Sequence, residues 1–110
     1  FTKLFKELNQ DLRGIKACNM SFWREDLFLI NGFNEDFIGW GREDTEIAVR
    51  LFNSGKFRKN IKFSGLSFHL YHYENSRSNI SVNDDLLADV IKSKSSWCDN
   101  GLIKLNEYEN

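Results

Sequence analysis

Proline is absent from this 110-residue sequence, and cysteine, histidine and methionine are scarce at two, two and one. The missing proline is unusual but carries no functional signal. Cys18 and Cys98 lie far apart with no C-x-x-C spacing, so they read as reduced thiols acting as small hydrophobes, not as a disulfide or metal pair. Charge of one sign is lacking too. Fifteen basic and sixteen acidic residues leave a formal net charge of −1 and a pI near 6.1, which gives no electrostatic case for nucleic acid or an anionic membrane. No apolar run approaches the roughly 20 residues that a spanning helix needs. The sequence begins at Phe1, not Met, with neither a basic n-region nor an apolar h-region. We therefore expect no signal peptide, and a chain processed or excised from something longer.

What is present suits a core. Hydrophobic residues make up 41% and aromatic residues 15%, with ten Phe and three Trp, while 28% charged residues keep the surface ordinary. No repeat, low-complexity segment or linker divides the chain, so residues 1–110 read as a single domain.

Along the chain, Leu4, Phe5, Leu8 and Leu12 at helical spacing suggest a short amphipathic helix or irregular lead-in over residues 1–13. Loose alternation over Ile15–Phe22 suits a strand. Ser21 is placed to cap a helix from Trp23 to about Ile30, with Gly32 as its left-handed stop. The clearest helix follows over residues 43–54. Ile47, Ala48, Leu51 and Phe52 make its apolar face, Glu43 and Asp44 sit in its first turn, and Gly55 follows the last. Glu46 and Arg50, four apart, read as a surface ion pair worth a few tenths of a kcal/mol. Phe57–His72 alternates with period two and reads as one strand, or two with a break near Gly65. A polar loop over 74–79 precedes a capping box of Ser81 and Asp84. The next helix turns Leu86, Leu87, Val90 and Ile91 inward and ends in Lys92 and Lys94. Gly101 marks a turn in the tail, beside a weak amphipathic patch of Leu102, Ile103 and Leu105. The order is mixed α/β.

Three stretches carry chemistry. In Gly39-Trp40-Gly41-Arg42-Glu43-Asp44, the glycines permit tight turning and close approach. Trp40 offers a flat face for a sugar ring. A helix-start carboxylate can take a proton from a hydroxyl. The same residues also read structurally, as helix-dipole acids and a core tryptophan. In His69-Leu70-Tyr71-His72 the two histidines face opposite sides of an unbroken strand, so they share a metal only if the chain ends or bends near Tyr71. The commoner arrangement is one buried and one exposed histidine, and two are too few for a closed zinc site. In Cys18-Asn19-Met20-Ser21-Phe22, Asn19 and Ser21 could bond substrate or simply end a strand.

Together, Gly14–Asp26, Asn31-Gly-Phe-Asn-Glu-Asp-Phe, Gly39-Trp-Gly-Arg-Glu-Asp-Thr-Glu and His69-Leu-Tyr-His resemble the C-terminal galactosyltransferase-like region of family 2 glycosyltransferases. Bacterial capsule and lipopolysaccharide sugar transferases and chondroitin-polymerase-like enzymes share that region. The resemblance covers about residues 13–75, with a helical tail over 81–110. It implies the C-terminal, acceptor-binding half of a GT-A fold, an α/β class, with the nucleotide-binding half missing. It makes Asp44 the general base and Glu43 its companion or acceptor contact. Trp40, Gly41, Arg42 and Asn19 become the substrate-binding residues, and His69, with His72 as second ligand or diphosphate contact, holds Mn2+ or Mg2+. Arg42 departs from the Gly of many relatives.

The D-x-D pair that completes the family's metal site is absent, since Asp84-Asp85 and Glu35-Asp36 lack its spacing. The resemblance implies an inverting transferase that moves a sugar from a UDP-sugar or other nucleotide-sugar to a hydroxyl of a surface polysaccharide. Its partners are that donor, an oligosaccharide acceptor and the N-terminal half, without nucleic acid. The site would lie in the cytoplasm, at the inner face of the membrane. The isolated piece is expected to be inactive and prone to self-association. The alternative is a non-catalytic module of the same fold that binds an oligosaccharide or a partner chain.

Overall fold

The acidic start and apolar face around Ile47 form a helix, and the rest of the fold is arranged around it. The computed structural model describes residues 8–61 and 67–105. Among these are strand β1 (Leu8–Asn9), a 3-10 turn (Ala17–Asn19), α1 (Arg24–Leu29), α2 (Glu43–Asn53), β2 (Arg58–Lys59) and α3 (Ile80–Ser93). The strands pair antiparallel, Leu8 opposite Lys59 and Asn9 opposite Arg58. Helices therefore dominate this mixed α/β layout, and α3 packs on α2.

Helix α2 buries Ile47, Ala48 and Val49. Leu51 and Phe52, expected on the same face, are only half-buried. The larger correction concerns Glu46 and Arg50. Their side chains are 2% and 0% exposed, so they form a core ion pair and not a surface one. Arg50 Nε and Nη2 donate to the two Glu46 carboxylate oxygens at 2.6 and 2.8 Å. Its remaining donors reach Ile30 O at 2.6 Å and Gly32 O at 2.8 Å. Two of the four guanidinium bonds thus close the pair within α2, and the other two tie α2 to the end of α1.

That end is where α1 reverses. Asn31 and Gly32 both adopt left-handed backbone, at φ 67° and 69°. Gly32 N–H bonds Leu27 O at 2.8 Å, a Schellman-type closure. The helix opens on Trp23, in extended backbone and without a side-chain cap, so Ser21 does not cap it. The strand expected over Ile15–Phe22 is instead the short 3-10 turn flanked by extended Lys16 and Met20.

Asn31 also holds the tail. It is 1% exposed, and its amide donates to Cys98 O and Ile103 O at 2.7 and 2.8 Å while Ile103 N–H donates back to its Oδ1 at 2.7 Å. Gly101 lies so close that a Cβ there would stand 1.8 Å from Asn31 O. The tail is therefore fastened to the α1 turn, more firmly than a weak amphipathic patch implies. Burial of Cys98 pushes its thiol above the ordinary value.

Three further expectations are corrected. Ser81 and Asp84 lie inside α3, whose N-cap is Asn79 without a side-chain cap bond. Ile91 is exposed, although Val90 is buried as expected. Of the strand over Phe57–His72, only Arg58–Lys59 forms among the described residues. Residues 62–66 lie outside the described residues, and 67–72 are exposed without strand pairing. Most of the expected helix over 1–13 also falls outside them, while its Leu8 and Asn9 form β1.

Candidate functional site

The turn that delivers the acidic pair is built from left-handed residues. Gly39, Gly41 and Arg42 have φ of 76°, 109° and 77°. A Cβ on Gly39 would meet Ser76 O at 2.8 Å, and one on Gly41 would meet the Ile80 side chain at 2.6 Å. Gly39 is therefore required twice, for backbone conformation and for space against the Ser76 carbonyl, whereas Gly41 is required for its conformation, since the tip of the Ile80 side chain can give way. Arg42 caps α2 in the conformation that glycine adopts freely. Its Nε donates to Asp84 Oδ1 at 2.6 Å, which anchors the strained position to α3.

The turn opens into a cleft of about 850 Å³. Its lining includes Trp40, Glu43 and Asp44 from the turn and the start of α2, Lys16 and Ala17 at the 3-10 turn, and His69, His72 and Arg77. Asn19 does not line it. Its Oδ1 instead accepts from Ser67 Oγ at 3.3 Å.

Asp44 is half-buried. Its Oδ1 accepts from Thr45 N–H at 2.8 Å, and its Oδ2 accepts from Ala17 N–H at 3.3 Å. Glu43 Oε2 is buried and has no hydrogen-bond partner among the described residues. A buried acceptor in that state carries a desolvation cost that nothing among the described residues offsets.

Sequence reading missed Arg77, placed in a polar loop. Its guanidinium lies over the Trp40 ring, 3.8 Å from the centroid. One tryptophan face is therefore occupied, and Arg77 also reaches Glu74 Oε2 at 3.3 Å. Asn83 was missed as well. It is fully buried, and its amide donates to Ile38 O at 3.1 Å and Gly41 O at 3.0 Å. Nothing but a lone polar residue near a helix start signalled it.

The histidines answer the question their spacing raised. Both are exposed, and the absence of strand pairing lets their Nε2 atoms face one another at 3.0 Å. His72 Nδ1 is 2.9 Å from Tyr73 O, which assigns its proton to Nδ1 and leaves Nε2 as an acceptor. A separation of about 3 Å also suits two imidazole ligands on one ion at roughly 2.1 Å from each. Among the described residues no group of three or more His, Cys, Asp or Glu is placed to hold a metal. The pair could supply two imidazole nitrogens to an ion, and the described residues place no third ligand beside them.

A G-W-G turn leads into an acidic pair at the start of α2, and these residues share a cleft with the paired imidazoles. The comparisons agree on the class: the chain belongs to the galactosyltransferase domain family, whose model, described as the N-terminal domain of galactosyltransferase, matches residues 4–74. Among particular proteins it is similar to a chondroitin synthase of Escherichia coli, 30% identical over 61 residues, covering 56% of this chain and 9% of that protein. It is also similar to a chondroitin synthase of Pasteurella multocida, 37% identical over 57 residues, covering 52% and 6%. A validoxylamine A glucosyltransferase of Streptomyces hygroscopicus subsp. jinggangensis is 44% identical over 39 residues, covering 36% and 9%. The matched stretch is thus under a tenth of each relative's length. No solved structure matches. Three helices with a two-stranded sheet are consistent with part of a glycosyltransferase domain.

Proposed function

We propose that this domain is the acceptor-binding half of an inverting, GT-A type family 2 glycosyltransferase. The reaction moves a sugar from a nucleotide-sugar, a UDP-sugar by preference, to a hydroxyl of a growing surface polysaccharide. The observation that carries the reading is the shared cleft: Glu43 and Asp44 at the start of α2 and the facing His69 and His72 line the same space.

In this reading Asp44 accepts the proton of the acceptor hydroxyl. The hydroxyl oxygen attacks the anomeric carbon in line, and the bond from that carbon to the diphosphate oxygen breaks, its electron pair leaving with UDP. Glu43, which lines the same cleft, contacts the acceptor or orients the base. The acceptor ring lies on the Trp40 face opposite Arg77. His69 and His72 would hold Mn2+ or Mg2+ together with acidic ligands from the nucleotide-binding half, and that ion offsets the charge of the leaving diphosphate. Phe68, Leu70, Tyr71 and Tyr73, each at least 80% exposed, suit a surface that this second half covers, and they are also where isolated copies would self-associate. No helix among the described residues is long and apolar enough to cross a membrane, and work at the cytoplasmic face of the membrane fits the reading.

A second reading is favoured by one bond. Asp44 Oδ2 already accepts from Ala17 N–H, as a purely structural helix-start acid would. The fold would then grip an oligosaccharide without chemistry. Incubating the full-length protein with a UDP-sugar panel, Mn2+ and oligosaccharide acceptors separates the two. Extended oligosaccharide and released UDP, detected by mass spectrometry, are expected. Acceptor binding with neither product would establish the binding module instead.

A further inference from the structure

We infer that Asn83, in the first turn of α3 and beyond the family-matched residues, is the positioning residue for the turn that carries Trp40 and leads into Glu43 and Asp44. The functional weight of this inference rests on the transferase reading above, but the geometry stands without it. Asn83 is 0% exposed, which an amide side chain tolerates only when its polar atoms are satisfied.

They are satisfied by the turn. Nδ2 donates to Ile38 O at 3.1 Å and to Gly41 O at 3.0 Å, with Trp40 O at 3.5 Å. Oδ1 accepts from Asn79 Nδ2 at 3.3 Å, and the same Asn79 amide reaches Ile38 O at 3.3 Å. Left-handed backbone at Gly39, Gly41 and Arg42 prevents the turn from pairing as helix or strand, so its carbonyls must find partners elsewhere. Asparagine is a mediocre residue inside a helix. Here it supplies donors that no apolar residue could. The adjoining Asp84 holds Arg42, and Ile80 of the same helix packs against Gly41. The first turns of α3 are therefore the bed on which the turn lies, and misplacement by about 1 Å can cost a hundredfold in rate.

The test compares Asn83→Leu, which keeps most of the volume and removes the donors, with Asn83→Asp, which keeps the shape and turns an oxygen toward the carbonyls. Hydrogen exchange is followed at the amides of Trp40 and Glu46, both bonded around the turn, and at Leu102 and Ile103, bonded to Asn31. Acrylamide quenching of Trp40 fluorescence is read in a Trp23→Phe, Trp97→Phe background. We expect both variants to speed exchange at Trp40 and Glu46 at least tenfold and to expose Trp40. Leu102 and Ile103 should stay within twofold.

Unchanged turn amides in Asn83→Leu would overturn the inference, because packing alone would then hold the turn. A uniform rise at all four amides would overturn it too, because the residue would then be general scaffolding. Should neither variant fold, Asn79→Ala removes the half-buried amide that orients Asn83, and the same two outcomes decide. In the full-length transferase these variants lower kcat at least tenfold with the KM for nucleotide-sugar within threefold. A turn loosened in the variants of a protein whose parent transfers nothing would refute the transferase reading and leave the positioning role standing.

Discussion

Replacing Arg50 by methionine removes four bonds of 2.6 to 2.8 Å from a site with no solvent. Glu46 is left 2% exposed and without its cation, and Ile30 O and Gly32 O lose their donor. Breaking one side of a buried pair costs about 3–5 kcal/mol. Methionine covers much of the stem's apolar contact, which limits the added packing loss. For a domain near 100 residues, each kcal/mol moves Tm by about 4–8 °C, so a fall of at least about 12 °C is expected. Total stability is commonly about 5–15 kcal/mol, so the variant is near the edge of folding. The assay is thermal and urea unfolding followed by circular dichroism, with the double variant Glu46→Gln, Arg50→Met as control. Removing the stranded carboxylate should recover more than about 1 kcal/mol, since the penalty lies in the unpaired charge. A loss below about 1 kcal/mol for Arg50→Met, the worth of an exposed pair, would refute the burial argument.

Arg42→Gly should leave stability within about 1 kcal/mol of the parent, because relief of left-handed backbone offsets the lost Asp84 pair, whereas Arg42→Val should cost more than about 2 kcal/mol. Matching denaturation midpoints for the two would contradict the strain. Cys98 has a thiol raised above its ordinary 9.0 by burial, so its contribution is complete below that value and is lost as pH climbs through the higher folded value. Unfolding midpoints should fall as pH rises above 9 in the parent and fall less in Cys98→Ala; equal slopes would contradict this. In the full-length enzyme, His69→Ala should raise the Mn2+ requirement more than His72→Ala, and the reverse order would mean their roles are exchanged.

Some of this was legible and some could not be. Helix α2 runs Glu43–Asn53 against an expected 43–54, because acids at its start, apolar spacing and Gly55 at φ 88° all point the same way. The Phe57–His72 alternation misled because period two marks a strand only when another layer covers one face. Here Phe68 and Leu70 are exposed, with nothing among the described residues to pair them. The Glu46–Arg50 spacing is the same on a surface or in a core, and only the turn after α1 decides which. Asn31 and Asn83 are single polar letters whose value appears once distant carbonyls converge on them. Of the site, the G-W-G-x-E-D and H-x-x-H patterns were readable. Arg77 on Trp40 and Ala17 on Asp44 were not, since both depend on loops meeting in space.

The central claim is that Asp44 removes the acceptor proton. Its most direct test is the single-turnover transfer rate of Asp44→Asn in the full-length enzyme, with donor and acceptor saturating and UDP-sugar affinity measured in parallel. The account predicts a fall of about a hundredfold to ten-thousandfold, with donor affinity within threefold of the parent. Transfer within tenfold of the parent would contradict it.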